Sequence, residues 1–168
     1  MVKRIAIIPA RGGSKRIKNK NIKSFQGKKL ILHTISEIKK SRFFSKIHVS
    51  TDSQRIKRIV EKNNQKIDFL RPYKLSKDKI PTKDVVNYTL KKYLSMRCEF
   101  DEVWLFFISN PFLNTKHIKK AYKIYIKNNK KASVMSVSKY NYPIEWAMKQ
   151  DNSLFLKPYF VNKKNKIQ

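Results

Sequence analysis

Glycine is scarce in this 168-residue chain: there are three, of which Gly12 and Gly13 are adjacent and Gly27 stands alone. That scarcity excludes the glycine-spaced phosphate loops, since GxxxxGK[ST] and GxGxxG both need glycines that are not there. Cys98 is the only cysteine, so an intrachain disulfide and a cysteine metal cluster are both excluded. His33, His48 and His117 have no metal-ligand spacing, and His48, between Ile47 and Val49, reads as a strand position. No apolar run approaches a membrane span; among the longest is Val103-Trp104-Leu105-Phe106-Phe107-Ile108. The N-terminus enters a strand at once, without an apolar stretch and small-residue cleavage site, so no signal peptide is expected. A reducing cytoplasm fits all of this.

Acidic residues are also few, 11 against 40 Lys and Arg, giving a formal charge of +29. Such a charge can mark a nucleic-acid binder, because Lys and Arg displace counterions from phosphate. The basic residues are spread over nearly every segment, however, and a nucleic-acid footprint has to be a patch. Lysine, isoleucine and asparagine together make up 64 of the 168 residues, the bias of an AT-rich genome. Compositional drift therefore explains most of the charge, and nucleic acid is an unlikely main partner. The charge would still help to capture an anionic substrate.

The length suits one domain with a real core. Short apolar runs at 4–8, 46–50, 67–70, 102–108 and 133–137 read as strands, alternating with helical stretches at 30–40, 53–63, 83–95 and 115–128. In the last of these, Ile118, Ala121, Tyr122, Tyr125 and Ile126 form a stripe of period 3.6. Ser53 or Asp52 can cap the second. Tyr93 and Met96 read as core positions, and Cys98 as partly buried. Alternating β and α elements predict an α/β fold, a mostly parallel sheet flanked by helices on both faces. Ligands of such sheets bind beyond the carboxyl ends of the strands. The loop after the first strand, Ser50-Thr51-Asp52, Arg71-Pro72 and Ser109-Asn110-Pro111 should then share one rim.

The first of those loops carries Arg11, Gly12, Gly13, Ser14, Lys15, Arg16, Lys18 and Lys20 with no acidic residue. Gly12 and Gly13 would let the backbone adopt positive φ and turn several amides toward one anion. The Arg and Lys side chains add charge around that nest. A polyphosphate is the natural ligand.

Ile8-Pro9-Ala10-Arg11-Gly12-Gly13-Ser14-Lys15-Arg16, followed by Lys18-Asn19-Lys20-Asn21-Ile22, resembles the signature of the acylneuraminate cytidylyltransferases. The similarity continues through Val49-Ser50-Thr51-Asp52, Leu70-Arg71-Pro72 and Asn110-Pro111-Phe112-Leu113. With Ser136-Val137 and Tyr142-Pro143-Ile144 it is most similar to the pseudaminic acid branch. Enzymes that activate Kdo share the Pro-Ala-Arg opening but continue with Pro-Gly-Lys-Pro, where this chain has Lys18-Asn19-Lys20-Asn21.

The resemblance implies a Rossmann-like nucleotidyltransferase that transfers CMP from CTP to the anomeric hydroxyl of a nine-carbon sialic-acid-like sugar, releasing pyrophosphate. It places Arg11, Lys15 and Lys20 on the triphosphate as catalytic cations. It assigns Ala10, Arg11, Gly12, Gly13, Ser14, Lys20, Asn21, Arg71 and Thr82 to the nucleotide, and Ser109 and Asn110 to the sugar acid. Arg71 before Pro72 also reads as a strand end, and Ser109-Asn110-Pro111 as an ordinary turn. Asp52 reads equally as a metal-placing group or a helix cap.

The resemblance further implies a nucleotide-binding core over 1–137, with 138–168 opening an excursion for dimerisation and sugar binding that is incomplete here. Tyr140, Tyr142, Trp146, Tyr159 and Phe160 would make an apolar homodimer interface, weakened by the truncation. Mg²⁺ is expected from the family, but the Asp-x-Asp pair linked to it would fall beyond residue 168. Phe107 stands where the family often has Gln or Tyr, which removes a polar group. A non-catalytic nucleotide-binding remnant or split subunit, and a basic nucleic-acid module, remain alternatives.

Overall fold

The computed structural model describes residues 2–14 and 17–160. Its centre is β1 (Arg4–Pro9), whose Ile5, Ala6, Ile7 and Ile8 are buried on both faces. β1 lies between β4 (Lys46–Ser50) and β5 (Glu102–Leu105), and both pair with it in parallel. In this register Ile7 stands opposite His48 on one side and Leu105 on the other.

The crossovers are helical, as parallel pairing requires. After β1 the chain makes a short antiparallel ribbon, β2 (Ser24–Phe25) with β3 (Lys28–Lys29), before α1 (Leu30–Ser41). The two residues at the ribbon's tip, Gln26 and Gly27, have φ of 45° and 74°, the left-handed pair that matches strand twist. α2 (Gln54–Glu61) follows β4, and Ser53 caps it by accepting the Ile56 amide at 3.3 Å. α3 (Thr82–Ser95) precedes β5, and α4 (Thr115–Lys127) follows it. α4 opens on a capping box in which Asn114 Oδ1 accepts the His117 amide and His117 Nδ1 accepts the Asn114 amide. His117 is therefore a cap.

Side-chain alternation along β1 divides the core into two layers. Ala6 and Ile8 pack with Ile31, Ile35 and Ile38 of α1, Ile56 and Val60 of α2, and Ile118 of α4. Ile5 and Ile7 pack on the other face with Tyr93 of α3 and half-buried Phe69, Val86 and Leu90. Helices thus flank a parallel sheet, the architecture expected. On β5 the second face is bare: Val103, Leu105 and Phe107 are 42%, 38% and 53% exposed, whereas Phe106 and Ile108 are buried. No helix among the described residues is long and apolar enough to cross a membrane.

Several elements differ from the sequence reading. Residues 67–70 build no ladder among the described residues; the link to the neighbouring rim is a bond from the Arg71 amide to the Thr51 carbonyl at 2.8 Å. β5 ends at Leu105, one residue before the last bond to β1, Phe106 N to Ile7 O at 2.9 Å, because the chain then turns toward Asn110. Residues 133–137 form no strand: nothing among the described residues pairs with them, and Val134, Met135 and Val137 stay exposed. Met96, beyond the last turn of α3, is exposed rather than core, as is Ile126 of α4. The excursion does contain strands: β6 (Met148–Gln150) and β7 (Leu156–Pro158) form an antiparallel ribbon outside the main sheet.

Candidate functional site at the carboxyl rim of the sheet

β1 and β4 end side by side, and their loops are tied together by backbone. The Ala10 amide donates to the Ser50 carbonyl at 2.9 Å, and the Gly12 amide donates to Asp52 Oδ1 at 2.9 Å. A Cβ built on Gly12 would lie 3.0 Å from Ser53 Cβ, so glycine is needed there for close approach, not for positive φ. A Cβ on Gly13 would meet nothing within 4 Å. The amide nest expected at these glycines is not open in this structure. The Gly12 amide is engaged by Asp52, and the Ser14 amide by the Gly12 carbonyl at 3.0 Å. Asp52 is accordingly a tie between loops, while Ser53 makes the helix cap.

Asn21 is buried in the single helical turn Lys20–Ile22 and donates through Nδ2 to the Arg11 carbonyl at 2.9 Å. It thereby holds the far end of the loop against its beginning. Lys20 starts that turn and is half-buried. Lys15 and Arg16 lie outside the described residues. Ala10 is fully buried at the end of β1.

Arg71 is the buried cation of the rim. Its amide is fixed on Thr51 and its Nε donates to Ser76 Oγ at 3.0 Å. Burial lowers its pKa from the ordinary value; the Asp52 carboxylate opposes this, and the positive charge of Arg11 adds to it. An arginine stays protonated under such a shift. Two guanidinium groups that repel one another at the mouth of a parallel sheet favour an anion between them. Arg11 itself is ion-paired with Asp78, in the connection that leads to α3.

Thr82 is the first residue of α3, behind Pro81. Ser109 and Asn110 are exposed in the loop after β5, where Asn110 Oδ1 accepts the Phe112 amide at 3.2 Å. Among the described residues neither makes a hydrogen bond to the first loop, and Phe112 packs edge-on against Phe25 at 6.0 Å. The structure thus joins Arg11, Gly12, Asn21, Asp52 and Arg71 by direct contact or charge, and leaves Ser109 and Asn110 apart from them. Sequence reasoning missed Ser76, Asp78 and Arg55. Arg55 lines a small cleft with Arg11, Gly12, Asn21 and Ser53. No motif marks these three; only the fold brings them to Arg11 and Arg71. A wider depression lies at the opposite end of the sheet, lined by Val2, Asp101, Glu102, Tyr125 and Lys130, where Glu102 is paired with Arg4 and Lys130.

The fold and the cationic loop at the end of its first strand define an α/β protein of the nucleotidyltransferase type. The family model described as Cytidylyltransferase matches residues 5–158, and the chain belongs to that family. It is 33% identical over 157 residues to the pseudaminic acid cytidylyltransferase of Campylobacter jejuni, covering 92% of this chain and 67% of that protein. It is 36% identical over 140 residues to the N-acylneuraminate cytidylyltransferase of Escherichia coli, covering 83% of this chain and 32% of that one. In three dimensions it is similar to a CMP:2-keto-3-deoxy-manno-octonic acid synthetase solved with CTP, with a TM-score of 0.64 at 20% identity. That match covers 76% of this chain and 48% of the solved one, and supports the fold.

Proposed function

We propose that the chain binds CTP at the carboxyl rim and transfers its CMP to the anomeric 2-hydroxyl of a nine-carbon α-keto acid sugar, with pyrophosphate leaving. Pseudaminic acid is the favoured acceptor, on Tyr142-Pro143-Ile144 and the Campylobacter relative. The observation that carries the reading is that the Arg11 loop and buried Arg71 are tied by backbone to the adjoining ends of β1 and β4, within a cytidylyltransferase match. Chemistry at a nucleoside triphosphate is mainly positioning and charge neutralisation, which fixed guanidinium groups supply. Arg11, Lys15 and Lys20 would meet the triphosphate. Ala10, Gly12, Gly13, Ser14, Asn21, Arg71 and Thr82 would hold the nucleotide, and Ser109 and Asn110 the sugar acid. Removing Arg11 would slow transfer by about 10²–10³, the usual cost of one transition-state donor.

Cytidylyltransferases are expected to use Mg²⁺, but the rim does not fit the ion by itself. No group of three His, Cys, Asp or Glu suited to a metal occurs among the described residues. The rim carboxylates Asp52 and Asp78 are already engaged by the Gly12 amide and by Arg11. That engagement favours a second reading, nucleotide binding without transfer. Incubation with CTP, Mg²⁺ and pseudaminic acid, read as pyrophosphate release beside CTP binding, separates the two. Release establishes the transferase, binding without release establishes the second reading, and absence of CTP binding overturns both. We assign 138–168 to dimerisation, with exposed Tyr140, Tyr142, Trp146, Tyr159 and Phe160 as the contact surface. A dimer in sedimentation is the expected result, and a monomer at all concentrations would contradict it.

A further inference from the structure

The Arg11–Asp78 ion pair joins two separate segments of the rim. Arg11 belongs to the loop after β1, and Asp78 to the connection between the turn Tyr73–Ser76 and α3. The two side chains are 35% and 40% exposed, so the pair sits at the mouth of the site where solutes reach it. Arg71 is buried and held by Ser76 on the same connection. Ser76 therefore anchors the segment two residues before Asp78, which keeps the carboxylate close to the Arg11 guanidinium. A carboxylate and a phosphate oxygen compete for the same guanidinium donors.

We propose that Asp78 is an internal competitor for the triphosphate site: its carboxylate occupies Arg11 while no nucleotide is bound, and the incoming triphosphate displaces it. This rests on the CTP reading of the rim. The exchange has two effects. It keeps Arg11 neutralised beside the buried charge of Arg71 in the free protein, and it sets a threshold that weakly charged anions do not cross. In a chain of charge +29, where any anion is attracted, such a threshold lowers the occupancy of the site by anions whose contact is to Arg11 alone, while a triphosphate with further contacts still displaces Asp78.

The test compares the whole chain with Asp78→Asn, titrated with inorganic triphosphate, CTP and inorganic phosphate. An exposed ion pair contributes a factor of up to about five, so Asp78→Asn should bind triphosphate about two- to five-fold more tightly. Inorganic phosphate, in so far as it binds through Arg11, should gain by no more than the same factor. Glu99→Gln, an exposed change of the same charge in the connection before β5, should leave both unchanged. In an Arg11→Gln background the gain from Asp78→Asn should be smaller. Equal or weaker triphosphate binding in Asp78→Asn overturns the competitor. Triphosphate binding that CTP does not displace overturns the nucleotide reading instead, and no triphosphate binding by either protein overturns both.

Discussion

The Gly12 amide reaches across forty residues of sequence to donate to Asp52 Oδ1 at 2.9 Å, so that the ends of two neighbouring strands share one hydrogen bond. Asp52 also faces the buried charge of Arg71. Asp52→Ala removes a charged acceptor and leaves Arg71 less compensated. We expect a loss of about 2 kcal/mol in urea unfolding, with Asp52→Asn milder because its amide oxygen still accepts. CTP affinity should fall with the loop's order. Unchanged stability in Asp52→Ala would remove the tie from the account.

The two adjacent glycines should behave differently. Gly12→Ala places a Cβ against Ser53 and forces one of the two loops to shift, at about 1–3 kcal/mol. Gly13→Ala meets open space and should stay within about 0.5 kcal/mol of the parent. Thermal unfolding of the pair of variants checks this.

His48 makes stability depend on pH. Its ring is buried in β4, and the Tyr93 hydroxyl lies 3.1 Å from Nδ1 and donates to Asp68 Oδ2 at 2.7 Å. With the phenol O–H donating to Asp68, Nδ1 is the donor to the phenol oxygen, and Nε2 is left buried without a partner among the described residues. Burial pushes the imidazole down from 6.5 to about 4, against the attraction of Asp68. The unfolded chain thus binds the proton first as pH falls. The stabilisation is complete above pH 6.5 and is lost progressively toward pH 4, to a total of about 3 kcal/mol. Burial raises Asp68, but Lys46 and Tyr93 outweigh it and hold the carboxyl below its ordinary value, so its share is lost at still lower pH. Urea midpoints between pH 7 and 5 should slope in the parent and flatten in His48→Gln. Parallel slopes would refute the assignment.

Arg4 and Glu102 begin β1 and β5. Arg4 Nε donates to Glu102 Oε2 at 2.7 Å, and its guanidinium lies over the rings of Phe43 and Tyr122. The Glu102 side chain is 5% exposed. Arg4→Met strands that carboxylate, with Lys130 at 3.5 Å as the remaining cation, and should cost about 3 kcal/mol. The double variant Arg4→Met with Glu102→Leu should recover most of the loss. A double-mutant cycle without coupling would contradict the pair.

Much of this was legible before any coordinates. β1 and the loop after it declare themselves because an Ile-rich strand opens directly onto Arg11-Gly12-Gly13; α2 shows its Ser53 cap and α4 its apolar stripe. Residues 67–70 and 133–137 read as strands and are not, for one reason: a short apolar stretch specifies a strand only when a neighbour offers an edge, and the pattern says nothing about neighbours. The engaged amide of Gly12 could not be foreseen either, since Asp52 meets it through the register of β1 with β4. Asp78 lies in a lysine-rich stretch without a motif, and only the path of the chain back to the rim gives it Arg11.

Among the described residues β1 precedes both of its partners in the chain and is the middle strand of the sheet. As the chain leaves the ribosome, one edge of β1 is covered once β4 has emerged, but the other waits for β5, with Arg4 and Glu102 98 residues apart. Until then a run of isoleucines presents an open hydrogen-bonding edge. Pairing over such a separation is slow, because the closure entropy comes before the contacts that offset it. The strand that positions the candidate phosphate loop is therefore the one whose folding finishes late, and chaperone dependence in the cell should track the synthesis of residues 102–105.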